Sequence, residues 1–367
     1  MDINNYDYVL PEANLALAPA VPRDSSKLFI YETDVDKITF DRFYNIDKYL
    51  PKDSFMVMNN TKVLPARVTM RKESHLRQGY GGQAGGKVIV LLLVNEIIND
   101  TLPIIVDRKI NVGEKIFFDE NNFLYVTGQK ENIFEVRFDF SRQHLFSLLN
   151  KYGSMPIPPY LKKSTLSKND LLKKYQTIFA KTDGSAAAPT ASLHFTDSVF
   201  KKLDEKEIKR LFVTLHVGMG TFAPITDENI LKKELHNEYY EVDQKTLQLI
   251  NQLKYEGKKL VAVGTTVVRT LESEARQGNF YHKTYKSEKI TLVSPLKQTN
   301  LFIFPPYDFK MVDIMITNFH LPKSSLMMLV EAFLQHKKAK KSLVELYNIA
   351  ISNNFRFYSF GDAMLIL

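Results

Sequence analysis

Three short runs of this sequence place a histidine among small residues, at the predicted carboxyl end of a buried strand. The histidines are His194, His216 and His320, and their neighbours are mainly Gly, Ala, Pro, Ser and Thr. Histidine titrates near neutral pH, whereas the small residues form tight turns that expose backbone donors to a ligand. The three loops therefore predict one site that is assembled from distant parts of the chain.

Two predicted strand-to-helix turns could hold an anion, because backbone N–H groups at a helix start attract a carboxylate or a phosphate. The turns differ in sequence, but each combines a capping hydroxyl with a cation. Their candidate side chains are Thr265, Thr266, Arg269, Lys323 and Ser324. Two alternatives stay open: each turn could be only a capped helix, and Arg269 could form a surface ion pair with Glu272.

The composition excludes several kinds of chemistry. The chain has 367 residues and no cysteine, which excludes disulfides, thiolate nucleophiles and iron–sulfur clusters. No His-Glu-x-x-His motif indicates a metal site, and no Gly-x-Ser-x-Gly motif indicates a serine hydrolase. We therefore expect no metal in this protein.

The N-terminal sequence and the charge predict where the protein acts and on what. The first residues lack the pattern of a signal peptide, and no apolar run approaches the roughly 20 residues that span a bilayer. Together with the missing cysteine, this favours a cytoplasmic protein without a membrane partner. A formal net charge of +8 favours a polyanionic partner, although charge does not distinguish DNA from RNA.

The sequence pattern predicts an α/β protein of two domains. Residues 63–155 contain short apolar or alternating runs separated by Gly, Asn and Asp, which is typical of a small antiparallel barrel. Residues 1–62 and 156–367 alternate strands with helices. We predict a large, discontinuous, distorted α/β barrel-like catalytic domain with an inserted all-β barrel domain. The glycine-rich run at 78–86 is predicted to be a flexible hairpin tip.

Several blocks of this sequence recur in the same order in one known family. They include the three histidine loops and the segments Asn59-Asn-Thr-Lys-Val-Leu-Pro-Ala-Arg67, Met155-Pro-Ile-Pro-Pro-Tyr160 and Arg356-Phe-Tyr-Ser-Phe-Gly-Asp-Ala-Met-Leu-Ile. On these blocks the chain resembles, nearly end to end, the S-adenosylmethionine:tRNA ribosyltransferase-isomerases of queuosine biosynthesis. It departs from the usual residue at Ala186, Met219 and Pro306, and none of these changes removes a polar residue of the histidine loops.

The resemblance implies a transfer of the ribosyl moiety of S-adenosylmethionine to the aminomethyl group of 7-aminomethyl-7-deazaguanine at the tRNA wobble position. The ribosyl ring is isomerised to give epoxyqueuosine, and adenine and methionine are released. S-adenosylmethionine is then a consumed co-substrate, with no resident cofactor, and we expect a monomer. Two other hypotheses stay open, an S-adenosylmethionine-dependent tRNA methyltransferase and a tRNA-binding protein without catalysis.

The implied chemistry gives the candidate residues their roles. The sulfonium acidifies the adjoining C5′ hydrogens, and the acceptor amine must also lose a proton. Our hypothesis is that His194 or His216 performs one of these transfers and His320 the other. Aromatic faces attract a sulfonium cation, although core packing is the alternative for each ring. The remaining substrate-binding candidates are Phe195, Phe222, Phe319 and Thr221, in addition to the five residues of the two helix turns.

Binding of tRNA requires cations that face phosphates. Arg23, Lys62 and Arg67 are the candidates, because they lie in turn-rich blocks that resemble the family. The basic run His336-Lys-Lys-Ala-Lys-Lys341 is a further one, for which a solvated helix end is the alternative. The sequence identifies no adenine pocket.

Overall fold

The computed structural model describes residues 2–73, 86–218, 225–278 and 296–367. Within these ranges the strands, numbered along the chain, are β1 Lys27–Glu32, β2 Lys37–Arg42, β3 Ser54–Asn59, β4 Thr61–Val63, β5 Arg67–Lys72, β6 Lys87–Leu92, β7 Thr101–Val106, β8 Lys115–Phe117, β9 Phe123–Lys130, β10 Ile133–Arg137, β11 Gly153–Ser154, β12 Thr182–Ser185, β13 Lys209–His216, β14 Glu234–Glu241, β15 Lys259–Val263, β16 Lys297–Leu301, β17 Ile314–Asn318 and β18 Ala363–Ile366. The α-helices are α1 Arg142–Tyr152, α2 Lys168–Lys174, α3 Asp197–Glu205, α4 Asp227–Lys232, α5 Gln244–Tyr255, α6 Thr265–Arg276, α7 Ser325–His336 and α8 Leu343–Ser352.

A mixed sheet of nine strands forms the centre of the larger part of the molecule. Its order is β16-β14-β13-β3-β15-β17-β18-β1-β2. The four neighbouring strands β13, β3, β15 and β17 run parallel, so their carboxyl ends meet at one edge. This edge receives His216, Asn59, Val263 and Asn318, the last residues of those four strands.

The parallel centre of the nine-stranded sheet is buried on both faces, as parallel strands usually are. Along β3, Phe55 and Val57 contribute to a core that includes residues of α5, α6, α7 and α8. Met56 and Met58 contribute to a second core, on the other face, that includes residues of α3. Successive side chains of a strand point to opposite faces of the sheet, so β3 contributes to two separate apolar layers.

A closed six-stranded barrel forms a second, smaller part of the molecule, and β4 and β12 pair in a separate two-stranded sheet. Strands β5, β6, β7, β10, β9 and β8 pair in that order, and β8 pairs again with β5, which closes the ring. Alternate residues such as Val68, Val90 and Val136 fill its interior, and Leu145 and Leu149 of α1 join the same core. The predicted α/β fold with a small all-β barrel is thereby confirmed. The domain boundaries at 62/63 and 155/156 stay a prediction, and residues 78–85 of the proposed hairpin tip lie outside the described residues.

Gly153, which joins α1 to β11, has no room for a side chain. A Cβ there would lie 1.8 Å from Pro65 O and 2.4 Å from Leu149 O, which are backbone atoms of packed segments. We expect Gly153→Ala to lower the free energy of unfolding by about 2–3 kcal/mol, because the chain must shift to relieve the overlap. Gly86→Ala is the matched control, since none of the described residues lies within 4 Å of its Cβ position. Urea unfolding measures both variants, and equal losses would contradict this expectation.

Candidate active site

A pocket lies at the edge of the nine-stranded sheet where β15 and β17 end. Its wall includes Val217, Gly264 and Asn318, which lie at the carboxyl ends of β13, β15 and β17, and Tyr160 and Tyr358 from other parts of the chain. Counted out to its open mouth, the pocket has a volume of about 890 Å³. That volume includes open solvent, and the place of the pocket, at the carboxyl ends of parallel strands, is where ligands of α/β folds bind.

The structure brings the three histidine loops together, as the sequence predicts. Ala186 N donates to Val217 O at 3.0 Å, which joins the first loop to the second. Asn318 Nδ2 lies 3.3 Å from His194 Nε2, which joins the third loop to the first. The three histidines nevertheless have different surroundings.

His320 is the histidine among the three that belongs to the pocket wall. Its Nε2 lies 2.9 Å from Thr317 Oγ1, and its backbone N donates to Tyr347 Oη at 2.9 Å. No described residue forms a hydrogen bond with its Nδ1. Burial lowers the pKa of His320 to about 3, so the imidazole is neutral at pH 7. The neutral ring has a lone pair that can accept a proton, and the lowered pKa makes it a weaker base than a free histidine.

His194 is buried behind the pocket wall and is not part of it. It ends a short 3₁₀ helix, Thr190–His194, and its ring packs against Phe43 with centroids 5.0 Å apart. Both ring nitrogens have protein neighbours, Ser26 Oγ at 2.9 Å from Nδ1 and Asn318 at Nε2. Burial, with smaller contributions from Arg356 and Arg23, lowers the pKa of His194 to about 3.

His216 also lies behind the pocket, at the end of β13. Its Nδ1 is 2.8 Å from Thr61 Oγ1, and burial lowers its pKa to about 4. Gly184 passes directly over the ring: a Cβ at this residue would lie 2.9 Å from His216 Cε1, and its φ of +145° disfavours other residues. A side chain at position 184 would collide with the His216 ring. Gly184 of the first loop is therefore required by His216 of the second.

Arg269 lies in the pocket wall and forms a buried ion pair with Glu238 through Nη1. Its Nε donates to Leu301 O at 3.2 Å, and its Nη2 is buried without a hydrogen-bond partner among the described residues. Glu238, which is also in the wall, accepts from Gly218 N at 3.1 Å. A guanidinium with an NH₂ group left over is suited to a carboxylate or a phosphate.

The expected surface ion pair between Arg269 and Glu272 is wrong. Glu272 is fully buried, and its carboxylate accepts from Met311 N and Lys310 N, both at 3.0 Å. Burial raises the pKa of Glu272, against the opposing effect of these backbone donors. Arg269 and Glu272 have different partners because this turn of α6 is packed on all sides. No face of the turn is open to solvent, as a surface ion pair would require.

The two helix starts differ from each other. Gly264, with φ of +91°, is the N-cap of α6 and provides no side-chain cap, so the expected capping by Thr265 or Thr266 is wrong. Both threonines lie in the pocket wall, where Thr266 Oγ1 accepts from Asn59 Nδ2 at 3.3 Å. Ser324 caps α7 as predicted, by accepting from Met327 N, and it also belongs to the wall.

The remaining predicted substrate residues divide into three groups. Lys323 is not in the pocket wall; its Nζ pairs with Asp7 at 3.0 Å. Phe195 is fully buried in a core outside the pocket, whereas Phe319 is both fully buried and part of the wall. Thr221 and Phe222 lie outside the described residues.

The predicted tRNA cations are partly engaged within the protein. Arg23 donates to the backbone oxygens of Gln176 at 2.7 Å and Lys173 at 3.1 Å. Lys62 forms an ion pair with Asp183 at 3.2 Å, and Arg67 is exposed on β5. In the basic run after α7, Lys341 binds Asp36 at 2.7 Å. The tRNA contacts therefore stay a prediction.

Sequence reasoning missed several residues of the pocket wall. Glu238, Asn318, Tyr160 and Tyr358 are among them. Asn318 had a signal, since it lies two residues before His320 at the end of a buried strand. Glu238 had none, because its partner Arg269 is 31 residues away and on a different element.

In the ranges given above, no three His, Asp or Glu side chains cluster closely enough to hold a metal ion. Among the helices of the same ranges, none is long and apolar enough to cross a membrane.

Comparison with known proteins gives consistent matches over the whole chain. The family described as queuosine biosynthesis protein matches residues 3–366. The S-adenosylmethionine:tRNA ribosyltransferase-isomerase of Fusobacterium nucleatum is 37% identical, covering 99% of this chain and 96% of the relative. That of Thermosipho melanesiensis is 39% identical over all of both chains. The crystal structure of the S-adenosylmethionine tRNA ribosyltransferase of Thermotoga maritima matches with a TM-score of 0.50 and 28% identity, covering 99% of each chain.

Proposed function

The chain belongs to the queuosine biosynthesis protein family, and from this membership we infer that it is an S-adenosylmethionine:tRNA ribosyltransferase-isomerase. It transfers the ribosyl moiety of S-adenosylmethionine to the aminomethyl group of 7-aminomethyl-7-deazaguanine in the tRNA wobble position. The products are epoxyqueuosine-tRNA, adenine and methionine. The names of the relatives favour this reaction over methyl transfer.

One observation of the geometry supports this function above the others. The pocket combines a neutral imidazole, His320, with a guanidinium N–H group of Arg269 that lacks a partner among the described residues. The reaction needs both groups, because S-adenosylmethionine carries a carboxylate to be anchored and acidic C5′ hydrogens to be removed. A protein that only bound tRNA would need neither.

We propose that His320 is the general base of the first step. In the tautomer whose Nε2–H donates to Thr317 Oγ1, the lone pair is on Nδ1 and is available to accept the proton. The C5′–H bond breaks, its proton goes to Nδ1, and its electron pair stays on C5′ beside the sulfonium. His194 and His216 do not belong to the pocket wall, so this assignment selects one histidine of the three.

The methionine carboxylate is assigned to Arg269, with Thr265, Thr266 and the first N–H groups of α6 beside it. We expect Arg269→Lys to raise KM for S-adenosylmethionine about 10- to 100-fold, because lysine keeps the charge beside Glu238 and loses the fork nitrogen Nη2. Steady-state kinetics in both substrates measures the effect. Lys323→Arg is the matched control outside the wall, and an unchanged KM in Arg269→Lys would contradict the assignment.

Incubation with S-adenosylmethionine and tRNA that carries the precursor base tests the reaction itself. Nucleoside analysis should show epoxyqueuosine, and the small-molecule products should include adenine and methionine. Adenosylhomocysteine in place of adenine would support the methyltransferase, and tRNA binding without any product would support a non-catalytic protein.

We also propose that the reaction requires no metal and no resident cofactor. Dialysis against a chelator, followed by assay in metal-depleted buffer with tRNA folded beforehand, should leave kcat within about twofold of its original value. A loss of activity that Mg²⁺ or Zn²⁺ restores would contradict this. Prefolding the tRNA separates a metal needed by the enzyme from one needed by the RNA.

The tRNA, with Arg23, Lys62 and Arg67 as phosphate contacts, is the macromolecular partner in this proposal. Arg67 is the strongest of the three, because it is exposed and its side chain forms no hydrogen bond with the described residues. A monomeric state and a cytoplasmic location complete the proposal.

A further inference from the structure

Asn318, the last residue of β17, has a polar atom with no protein partner. The residue is 2% exposed and lies in the pocket wall. Its Oδ1 is buried and forms no hydrogen bond with any described residue. A buried carbonyl oxygen without a partner is unfavourable, and a ligand that donates to it removes this penalty.

The neighbours of Asn318 determine which atom of its side-chain amide is the nitrogen and which is the oxygen. Its Nδ2 lies 3.4 Å from Tyr358 O and 3.4 Å from Asp362 O. Both are backbone carbonyl oxygens, which only accept hydrogen bonds, so the atom that faces them must be the NH₂ group. A flipped amide would place its one oxygen against both carbonyl oxygens. The atom without a hydrogen-bond partner is therefore the oxygen, Oδ1, which is an acceptor.

His194 supports the same orientation from a third side. Its Nε2, 3.3 Å from Asn318 Nδ2, must accept from the amide, which leaves the ring proton on Nδ1. Nδ1–H then donates to Ser26 Oγ at 2.9 Å. Since both nitrogens are used and burial keeps the ring neutral, His194 has no atom with which to exchange a proton with a ligand.

We propose that Asn318 binds S-adenosylmethionine directly through Oδ1, and that His194 is a positioning residue that holds the Asn318 amide in place. The inference rests on the proposed function. Asn318 ends β17 and His320 follows two residues later, so the group bound by Oδ1 belongs to the substrate whose C5′ faces His320. That group is an N–H or O–H donor, which S-adenosylmethionine offers at its ammonium, ribose and adenine.

Steady-state kinetics of Asn318→Ala, His194→Phe and the double variant test the proposal. Phenylalanine keeps the ring against Phe43 and removes both nitrogens. We expect Asn318→Ala to raise KM for S-adenosylmethionine about 10- to 100-fold and His194→Phe about fivefold or more, with KM for tRNA unchanged. In the Asn318→Ala background, His194→Phe should add less than twofold, because it acts through the amide.

Other results would overturn the inference. A fall of kcat by more than 100-fold in His194→Phe, with KM for S-adenosylmethionine unchanged, would make His194 a proton-transfer group. An unchanged KM in Asn318→Ala, with active wild-type enzyme, would overturn the Asn318 contact alone, whereas inactive wild-type enzyme would overturn the proposed function. If the larger changes prevent folding, Ser26→Ala should raise KM for S-adenosylmethionine two- to fivefold, and no change would count against His194 positioning.

Binding of substrate analogues identifies the donor. One analogue lacks the adenine amino group and another lacks the ribose 2′-hydroxyl. The analogue that lacks the true donor should lose affinity for wild-type protein, but bind Asn318→Ala about as well as S-adenosylmethionine does. If every analogue loses the same factor with both proteins, Oδ1 contacts none of these groups.

Discussion

Replacing His320 by alanine is expected to lower kcat about 100- to 10,000-fold, the usual contribution of a positioned general base. KM for S-adenosylmethionine should change little, because transfer of the proton to Nδ1 occurs only in the transition state. Exchange of the C5′ hydrogens with deuterated solvent, followed by mass spectrometry, isolates this step from the later ones. Exchange should be lost in His320→Ala.

His216→Ala is the matched control for this result. Its imidazole is also buried and neutral, but it is held by Thr61 behind the pocket and has no place in the wall. The control should lose stability and still catalyse exchange. Exchange at the wild-type rate in His320→Ala would place the base elsewhere. Since burial lowers the pKa of His320 to about 3, its own titration should cause no loss of activity between pH 6 and 8.

Mild acid is expected to destabilise the fold by about 6 kcal/mol between pH 7 and pH 5. Burial lowers the pKa values of His194 and His320 to about 3 and that of His216 to about 4. In the unfolded chain each histidine has a pKa near ~6.5. Below about pH 6.5 the unfolded state therefore binds protons that the folded state does not. The free energy of unfolding decreases as the pH is lowered, until the folded pKa values are reached.

The size of the effect follows from the three histidines together. One pKa unit corresponds to about 1.4 kcal/mol, so each histidine contributes about 2 kcal/mol over this interval. The sum is comparable with the whole stability of many domains, about 5–15 kcal/mol. Urea unfolding at a series of pH values measures it. His216→Asn should reduce the slope of stability against pH by about a third, and a slope equal to that of the wild type would show that His216 is not buried as a neutral ring.

The fold class could be predicted because its signals are local. The run Lys87-Val-Ile-Val-Leu-Leu forms β6, whose residues Val88, Val90 and Leu92 alternate into the barrel core as a period of two requires. The family was recognisable for a similar reason, since its blocks are contiguous and ordered. The helix cap at Gly264 could not be predicted. Threonine is a common capping residue, and only the backbone shows that Thr265 lies one position after the N-cap.

The contacts within the site could not be predicted, because they join segments far apart in the chain. Glu238 reaches Arg269 from β14, which lies between β13 and β16 and which no local pattern relates to α6. The sequence suggested Glu272 as the partner, since it shares a helix face with Arg269. Burial of that face directs the Glu272 carboxylate to backbone N–H groups instead.

By itself, then, the sequence determined the family, the α/β class with a β-barrel, and the three histidine loops, because each is expressed by neighbouring residues. Only the tertiary structure decided that His320 faces the pocket while the other two histidines lie behind it. Their rings are held by Ser26 and Thr61, which lie 168 and 155 residues away along the chain. Such partners are set by how strands are ordered in the sheet, and no local pattern specifies that order.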